Sequence, residues 1–291
     1  MEKIGFIGLG IMGKPMSLHL LKAGHQVTVL ENSNAADTLK GSGASVVPSP
    51  AALARNSDIV ITCLPDSPEV EQIVFAEDGL LQGVTSGMLY IDMSTIAPAT
   101  SLRIFEAMKK SQVEALDAPV SGGQGGAENA ALSIMVGGSP AAFERALPVF
   151  ERMGSNIVHI GEAGSGQVTK ACNQIIVGMT IQAVAEALTL AKKAKVDLGK
   201  VRSALLGGFA QSKILDLHGQ RFIEGNFQPG FKVKLHRKDM NIALQTGLEL
   251  AVPLPGSAQV ASQMDALIAT GDGELDHSAL GRLLQRLSGI Q

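Results

Sequence analysis

Up to Gly161 the chain alternates short β-rich runs with helical patterns, and beyond it the strand-like runs nearly vanish. Strand candidates fall at residues 3–8, 26–31, 59–63, 88–92 and 113–117, with helical stretches such as 13–23 and 98–110 between them. Strands separated by helices need crossover connections, so this half predicts a parallel sheet with helices on both faces. Residues 133–136 and 157–160 read as two further strands around a helix that Ser139 can cap and that runs to about residue 153. Helical periodicity then continues at roughly 165–195, 198–206, 211–223, 232–250, 256–270 and 277–287. Asp276 is placed to cap the last of these, and Pro255 with Gly256 marks an earlier boundary. The expected organisation is an α/β domain over residues 1–162 and an all-helical domain over 163–291, joined by the long helix that begins near Ser165. A chain of 291 residues, 45% of them apolar, can build cores of that size.

The first strand–helix junction carries the glycine pattern Gly8-Leu9-Gly10-Ile11-Met12-Gly13. Gly8 permits a tight turn, Gly10 lets the backbone approach a pyrophosphate, and Gly13 allows close helix–strand packing. The amides of that turn, with Ile11 and Met12, and the helix dipole then suit a dinucleotide anion. Glu31 ends the second strand about 20 residues further on, where a carboxylate accepts hydrogen bonds from the adenosine ribose hydroxyls. A 2′-phosphate would be repelled there, and Asn32 supplies no cation, so NAD is preferred and NADP is the alternative. These features make the α/β half a Rossmann-type doubly wound domain. Leu64 and Pro65 follow one strand and Thr95 follows another, so all three are expected to line the dinucleotide cleft. An ordinary turn or cap role is the competing reading of each.

Ser121, Gly122 and Gly123, after a further strand, offer a hydroxyl and approachable amides that suit a carboxylate, or else a simple loop. Lys170 and Asn173 stand three residues apart on the long helix and so share a face. The apolar stretch at 174–194 reads as a core helix. A lysine on a buried helix is costly unless it faces a cleft or a partner, and burial brings a lysine pKa towards the acid–base range.

The motifs GFIGLGIMGKPM, DMSTIAP, DAPVSGG, the GxGxxxKxxNQ pattern at 164–174 and HRKD resemble, in order, those of the β-hydroxyacid dehydrogenase family. The resemblance spans nearly the whole chain. It implies that Lys170 exchanges the proton with the reacting oxygen, that Asn173 orients the substrate, and that residues 121–123 hold its carboxylate. It also implies that Thr95 and Lys238 contact the cofactor, with the reaction in a cleft between the domains. GGFAQSKIL, PGFKVKLHRKDMNIAL and LDHSAL carry a finer likeness, to the 2-hydroxy-3-oxopropionate (tartronate semialdehyde) reductases within that family. A 3-hydroxyisobutyrate, threonate or similar dehydrogenase is the alternative, and a non-catalytic NAD(P)-binding protein is the rival from another class. Asn32 departs from the Arg often found after the acidic residue, and Ala130-Ala131 from a Gly-Thr.

The remaining expectations are simpler. Cys63 and Cys172 lie in apolar surroundings and read as buried reduced thiols. His19, His25, His159, His218 and His277 read as structural, His236 could face the cleft, and no cluster has metal-ligand spacing, so no metal is expected. The net charge of −3, one tyrosine and no tryptophan argue against a nucleic-acid partner or a membrane surface. The expected partner is a small hydroxy acid or semialdehyde, in a cytoplasmic homodimer or homotetramer.

Overall fold

The runs IVIT and LYID are buried at every residue, as strands covered on both faces must be. The computed structural model describes residues 1–290 and divides into two units, residues 1–170 and those from Ala171 onward. The first unit holds one sheet built from β1 (Lys3–Ile7), β2 (Gln26–Leu30), β3 (Ser45–Val47), β4 (Ile59–Thr62), β5 (Leu89–Asp92), β6 (Glu114–Asp117), β7 (Val120–Ser121), β8 (Leu132–Gly137) and β9 (Gly154–Gly161). Strands β3-β2-β1-β4-β5-β6 lie side by side in that order, all parallel. This is the doubly wound order, and its direction reverses between β1 and β4, where such sheets open a ligand crevice.

Side chains alternate between the two faces of the sheet. Ile59, Ile61, Leu89 and Ile91 pack with Met16, Leu20 and Phe150 on one side. Val60 and Tyr90 pack with Leu53, Val70 and Ile104 on the other. Beyond β6 the sheet is mixed: β8 runs antiparallel to β6 and β7, and β9 runs parallel to β8. Strands β3 and β7 are missing from the sequence reading because three and two residues are too few to show a period. Ala130 takes the left-handed conformation (φ 51°), so the turn that departs from Gly-Thr keeps a backbone shape that glycine adopts more freely.

Long helix Ser165–Lys193 begins in the first unit, and the second continues it. Its buried residues, Gly166, Gln167, Lys170, Ala171, Gln174, Gly178, Ile181, Gln182, Ala185, Leu188 and Thr189, recur every three or four positions. The opposite side is exposed at Ile176, Met179 and Leu190. The helix is long and apolar enough to cross a membrane by length and composition, and it is less buried than the core helix expected from the sequence. Cys172 is exposed, against expectation. Two positions past buried Lys170 is about 200° around the helix, which is the opposite side.

Helices Leu198–Leu206, Lys213–Glu224, Val233–Glu249, Pro255–Ala269 and Leu280–Leu287 follow, with a single 3₁₀ turn at His277–Ala279. Ile181, Val233, Met240, Val260, Met264, Leu267 and Leu280 form their shared core. Beside it stands a column of three histidines that spacing in the sequence does not reveal. His236 Nε2 lies 3.2 Å from the Gln174 carbonyl, His236 Nδ1 lies 2.9 Å from His277 Nδ1, and His277 Nε2 lies 3.3 Å from His218 Nε2. His236 is fully buried here rather than lining a cleft. Asp276 closes the column, accepting hydrogen bonds from the amides of Gly230, Phe231 and Ser278 and from the Ser278 hydroxyl. Burial alone would raise the Asp276 pKa, but the His218 and Ser278 hydrogen bonds and the neighbouring His277 hold it well below the carboxylate range.

His218, Asp276 and His277 bring ligand-type atoms within 4.8 Å of one another, which corrects the expectation that no such cluster exists. Asp276 Oδ1 already accepts from the Ser278 amide and hydroxyl, and His277 Nε2 lies against His218 Nε2. Burial, and then His236, hold the His277 pKa well below its ordinary value. The unfolded chain therefore takes up a proton below about pH 6.5 that folded His277 refuses, so its contribution to stability is lost as pH falls. His277→Asn is expected to destabilise the protein by about 2 kcal/mol near neutral pH. That gap should narrow by up to about 1.4 kcal/mol per pH unit below about pH 6.5. Titrating groups away from the histidine column cancel in the difference. Denaturant melts of both proteins check this, and a gap that stays constant down to about pH 5 contradicts it.

Candidate active site

Within the first unit, the residues proposed for the dinucleotide lie just past the carboxyl ends of parallel strands, whereas Lys238 lies on a helix of the second unit. Gly8 follows β1 with φ 100°, and a Cβ there would overlap the Cys63 carbonyl oxygen at the end of β4. A Cβ on Gly13 would overlap the Gly8 carbonyl oxygen and lie 3.0 Å from the Phe6 ring, so the helix starts against the strand. Gly10 differs. It is exposed, and a Cβ there would meet no atom within 4 Å. Its openness towards solvent fits a place where another molecule approaches the backbone.

Ile11 and Pro65 are exposed, and Met12, Leu64 and Thr95 are half-buried. The Leu64 amide donates to Ser94 Oγ at 2.9 Å, which joins the ends of β4 and β5. Glu31 and Asn32 are exposed just past β2, and the Glu31 amide donates to the Val47 carbonyl. Burial, with Asp92 nearby, pushes the Cys63 thiol up to about 12, which leaves it inert as a nucleophile.

Ser121 is the last residue of β7 and pairs with Ser133, so it belongs to a strand rather than to a loop. Gly122 (φ 137°) and Gly123 (φ 60°) then turn the chain into a short helix, in conformations that side chains rarely adopt. Lys170 is 7% exposed, and its Nζ donates to the Val120 carbonyl at 2.8 Å. The ammonium thus stands beside Ser121 and not in bulk solvent.

Asp117, at the end of β6, has a role that the sequence reading did not see. One carboxylate oxygen accepts the Gly164 amide at 2.7 Å and the other the Gln167 amide at 2.8 Å. Burial, against those hydrogen bonds, raises its pKa to about 6, with a further push from Asp92. Gln167 in turn donates to the Ser94 carbonyl at 2.9 Å and accepts the Ile96 amide at 3.2 Å, bracketing Thr95.

In the second unit, Asn173 Nδ2 donates to Gln174 Oε1 at 2.7 Å, and Gln174 Nε2 donates to Asp239 Oδ2 at 2.5 Å. Lys238 Nζ pairs with Asp239 Oδ1 at 2.8 Å. Asn173 and Lys238 are therefore fixed to one buried carboxylate. Gln174 and Asp239 lie within the 164–174 pattern and HRKD, but their link is visible only in three dimensions.

A profile for the NAD binding domain of 6-phosphogluconate dehydrogenase matches residues 3–161, and one for the NAD-binding of NADP-dependent 3-hydroxyisobutyrate dehydrogenase matches residues 164–284. The chain belongs to the 3-hydroxyisobutyrate dehydrogenase-related family of β-hydroxyacid dehydrogenases. It is 46% identical to the 2-hydroxy-3-oxopropionate reductase of Escherichia coli K12, over 98% of each chain. It is 37% identical to the 3-hydroxyisobutyrate dehydrogenase of Pseudomonas aeruginosa, over 97% of this chain and 98% of that one. The solved structure of the 3-hydroxyisobutyrate dehydrogenase of Mycobacterium tuberculosis with L-serine superposes with a TM-score of 0.89 at 32% identity, covering 98% and 99% of the two chains. The family makes this chain an NAD(P)-dependent oxidoreductase with a small-molecule substrate, as the resemblance in the sequence implied.

Proposed function

We propose that the chain reduces tartronate semialdehyde to D-glycerate, reversibly, with NADH preferred over NADPH, in the cytoplasm. The observation that carries the chemistry is the buried Lys170 ammonium on the Val120 carbonyl, one residue from Ser121. The hydroxyl of Ser121 and the amides of Gly122 and Gly123 hold the substrate carboxylate, and Asn173 orients the carbonyl. When bound, the dinucleotide supplies the hydride. Lys170 gives its proton to the carbonyl oxygen as that oxygen gains charge, and solvent restores the proton afterwards. In the oxidative direction the amine takes the hydroxyl proton. The open backbone at Gly10 fits the pyrophosphate, Glu31 and Asn32 face the adenosine ribose, and Lys238 contacts the cofactor. The choice of tartronate semialdehyde rests on the likeness to the Escherichia coli enzyme.

The likeness to the Pseudomonas enzyme supports a second reading, the oxidation of 3-hydroxyisobutyrate. Rates of NAD(P)H formation or loss with tartronate semialdehyde, D-glycerate, 3-hydroxyisobutyrate and threonate separate the two. The highest kcat/KM is expected with tartronate semialdehyde, and a higher value with 3-hydroxyisobutyrate reassigns the substrate. In the same assay NADH should surpass NADPH, because the Glu31 carboxylate repels a 2′-phosphate. A clear NADPH preference overturns that part of the proposal.

A further inference from the structure

We propose that Asp117 and Gln167 are positioning residues for Lys170, fixing the first turn of its helix to the sheet so that the ammonium stays beside Ser121. This rests on the reading of Lys170 as the acid–base group. The contacts form a closed ring. Asp117 holds the Gly164 and Gln167 amides; one turn later Lys170 reaches back to Val120, only three residues beyond Asp117 along the chain. The same short segment therefore anchors the helix start and receives the lysine tip. A ring of this kind leaves the helix neither rotation nor sliding without breaking a buried hydrogen bond.

Two further observations tighten it. The helix start sits at close approach to the sheet, since a Cβ on Gly166 would overlap the Met135 carbonyl oxygen and lie 2.6 Å from that of Asp117. Gln167 ties the same turn to Ser94 and Ile96, on both sides of Thr95. The lysine, the 120–123 segment and the Thr95 segment thus share one rigid frame. General acid catalysis needs such a frame, because a donor misplaced by about 1 Å can lose a hundredfold in rate.

Asp117 faces few titratable groups. Asp92, its register partner on β5, and Tyr90 line the small cavity of about 10 Å³ beside it, and Lys170 lies one turn along the helix. With a pKa of about 6, the carboxylate accepts both amides above that pH. Below it, the protonated oxygen presents a donor to an amide donor, and one strut of the ring is lost.

The test is a kcat profile against pH for the wild type, Asp117→Asn and Gln167→Met, with circular dichroism at each pH to confirm folding and cofactor binding measured separately. For the wild type, an acid limb of kcat near pH 6 is expected. Asp117→Asn should lower kcat about tenfold at neutral pH, with cofactor Kd nearly unchanged and the acid limb gone. Gln167→Met, which keeps Asp117, should lower kcat by a similar factor and retain the limb. A wild-type profile flat to pH 5 in folded protein overturns the proposal, as does a normal kcat in Gln167→Met. The second criterion serves even when Asp117→Asn does not fold. Lys170→Ala, run alongside, keeps the outcomes apart: if it remains active the reading of Lys170 fails, and if it alone is inactive the positioning role fails.

Discussion

Lys170→Ala is expected to lower kcat at least about a hundredfold, the lower end of what general acid–base groups contribute. The affinity for NAD(P)H should change little, because the ammonium serves the reacting oxygen and not the dinucleotide. Burial makes the effect large. At 7% exposure the lysine is well shielded from bulk water, so a solvent molecule replaces it poorly as a proton donor. Removing it also leaves the Val120 carbonyl without that donor, so some loss of stability accompanies the loss of rate. Stopped-flow hydride transfer with the folded variant checks the prediction; turnover within a few-fold of wild type removes Lys170 from the mechanism.

The glycine turn yields the second large effect, and it splits in two. Gly13→Ala places a methyl group into the Gly8 carbonyl oxygen, a backbone atom that cannot swing aside. A cost of about 3 kcal/mol is expected, a large share of the roughly 5–15 kcal/mol that holds a folded protein together. Gly10→Ala introduces no contact within 4 Å, so its melting temperature should match the wild type. Yet that methyl group stands where a pyrophosphate must approach, and Kd for NAD(P)H should rise at least about tenfold. Calorimetry and a fluorescence titration on the two variants give both quantities. Equal cofactor affinity in wild type and Gly10→Ala removes Gly10 from the proposed cradle.

Much of this protein was readable from local pattern. The strands β1, β2, β4, β5 and β6 lie within one residue of their predicted positions because buried parallel strands leave dense apolar runs. Helix Pro140–Phe150 starts at the expected Ser139, whose hydroxyl accepts the Ala142 amide. The glycine turn was readable for the same reason, since strand, turn and helix all act within a few residues. The unread parts depend on contacts between distant positions. Asp117 meets Gly164 and Gln167 across 47 and 50 residues, and His277 meets His236 and His218 across 41 and 59. A single sequence carries no periodic trace of such pairings. Nor could it show which side of the long helix Cys172 would take until the register of that helix against its neighbours was fixed.

The histidine column has a polarity that one peptide group dictates. A carbonyl oxygen only accepts, so His236 must present N–H from Nε2 to Gln174. When His236 carries a single proton its Nδ1 is bare, and His277 then donates to it from its own Nδ1. That leaves His277 Nε2 bare and obliges His218 to donate from Nε2. The orientation of each bond is thus inherited from the one before it, like teeth in a zip. Reversing any ring would set two hydrogens, or two lone pairs, face to face in a buried space. The backbone of the turn that carries Asn173 therefore selects the tautomer of His277, with no side chain of that turn taking part.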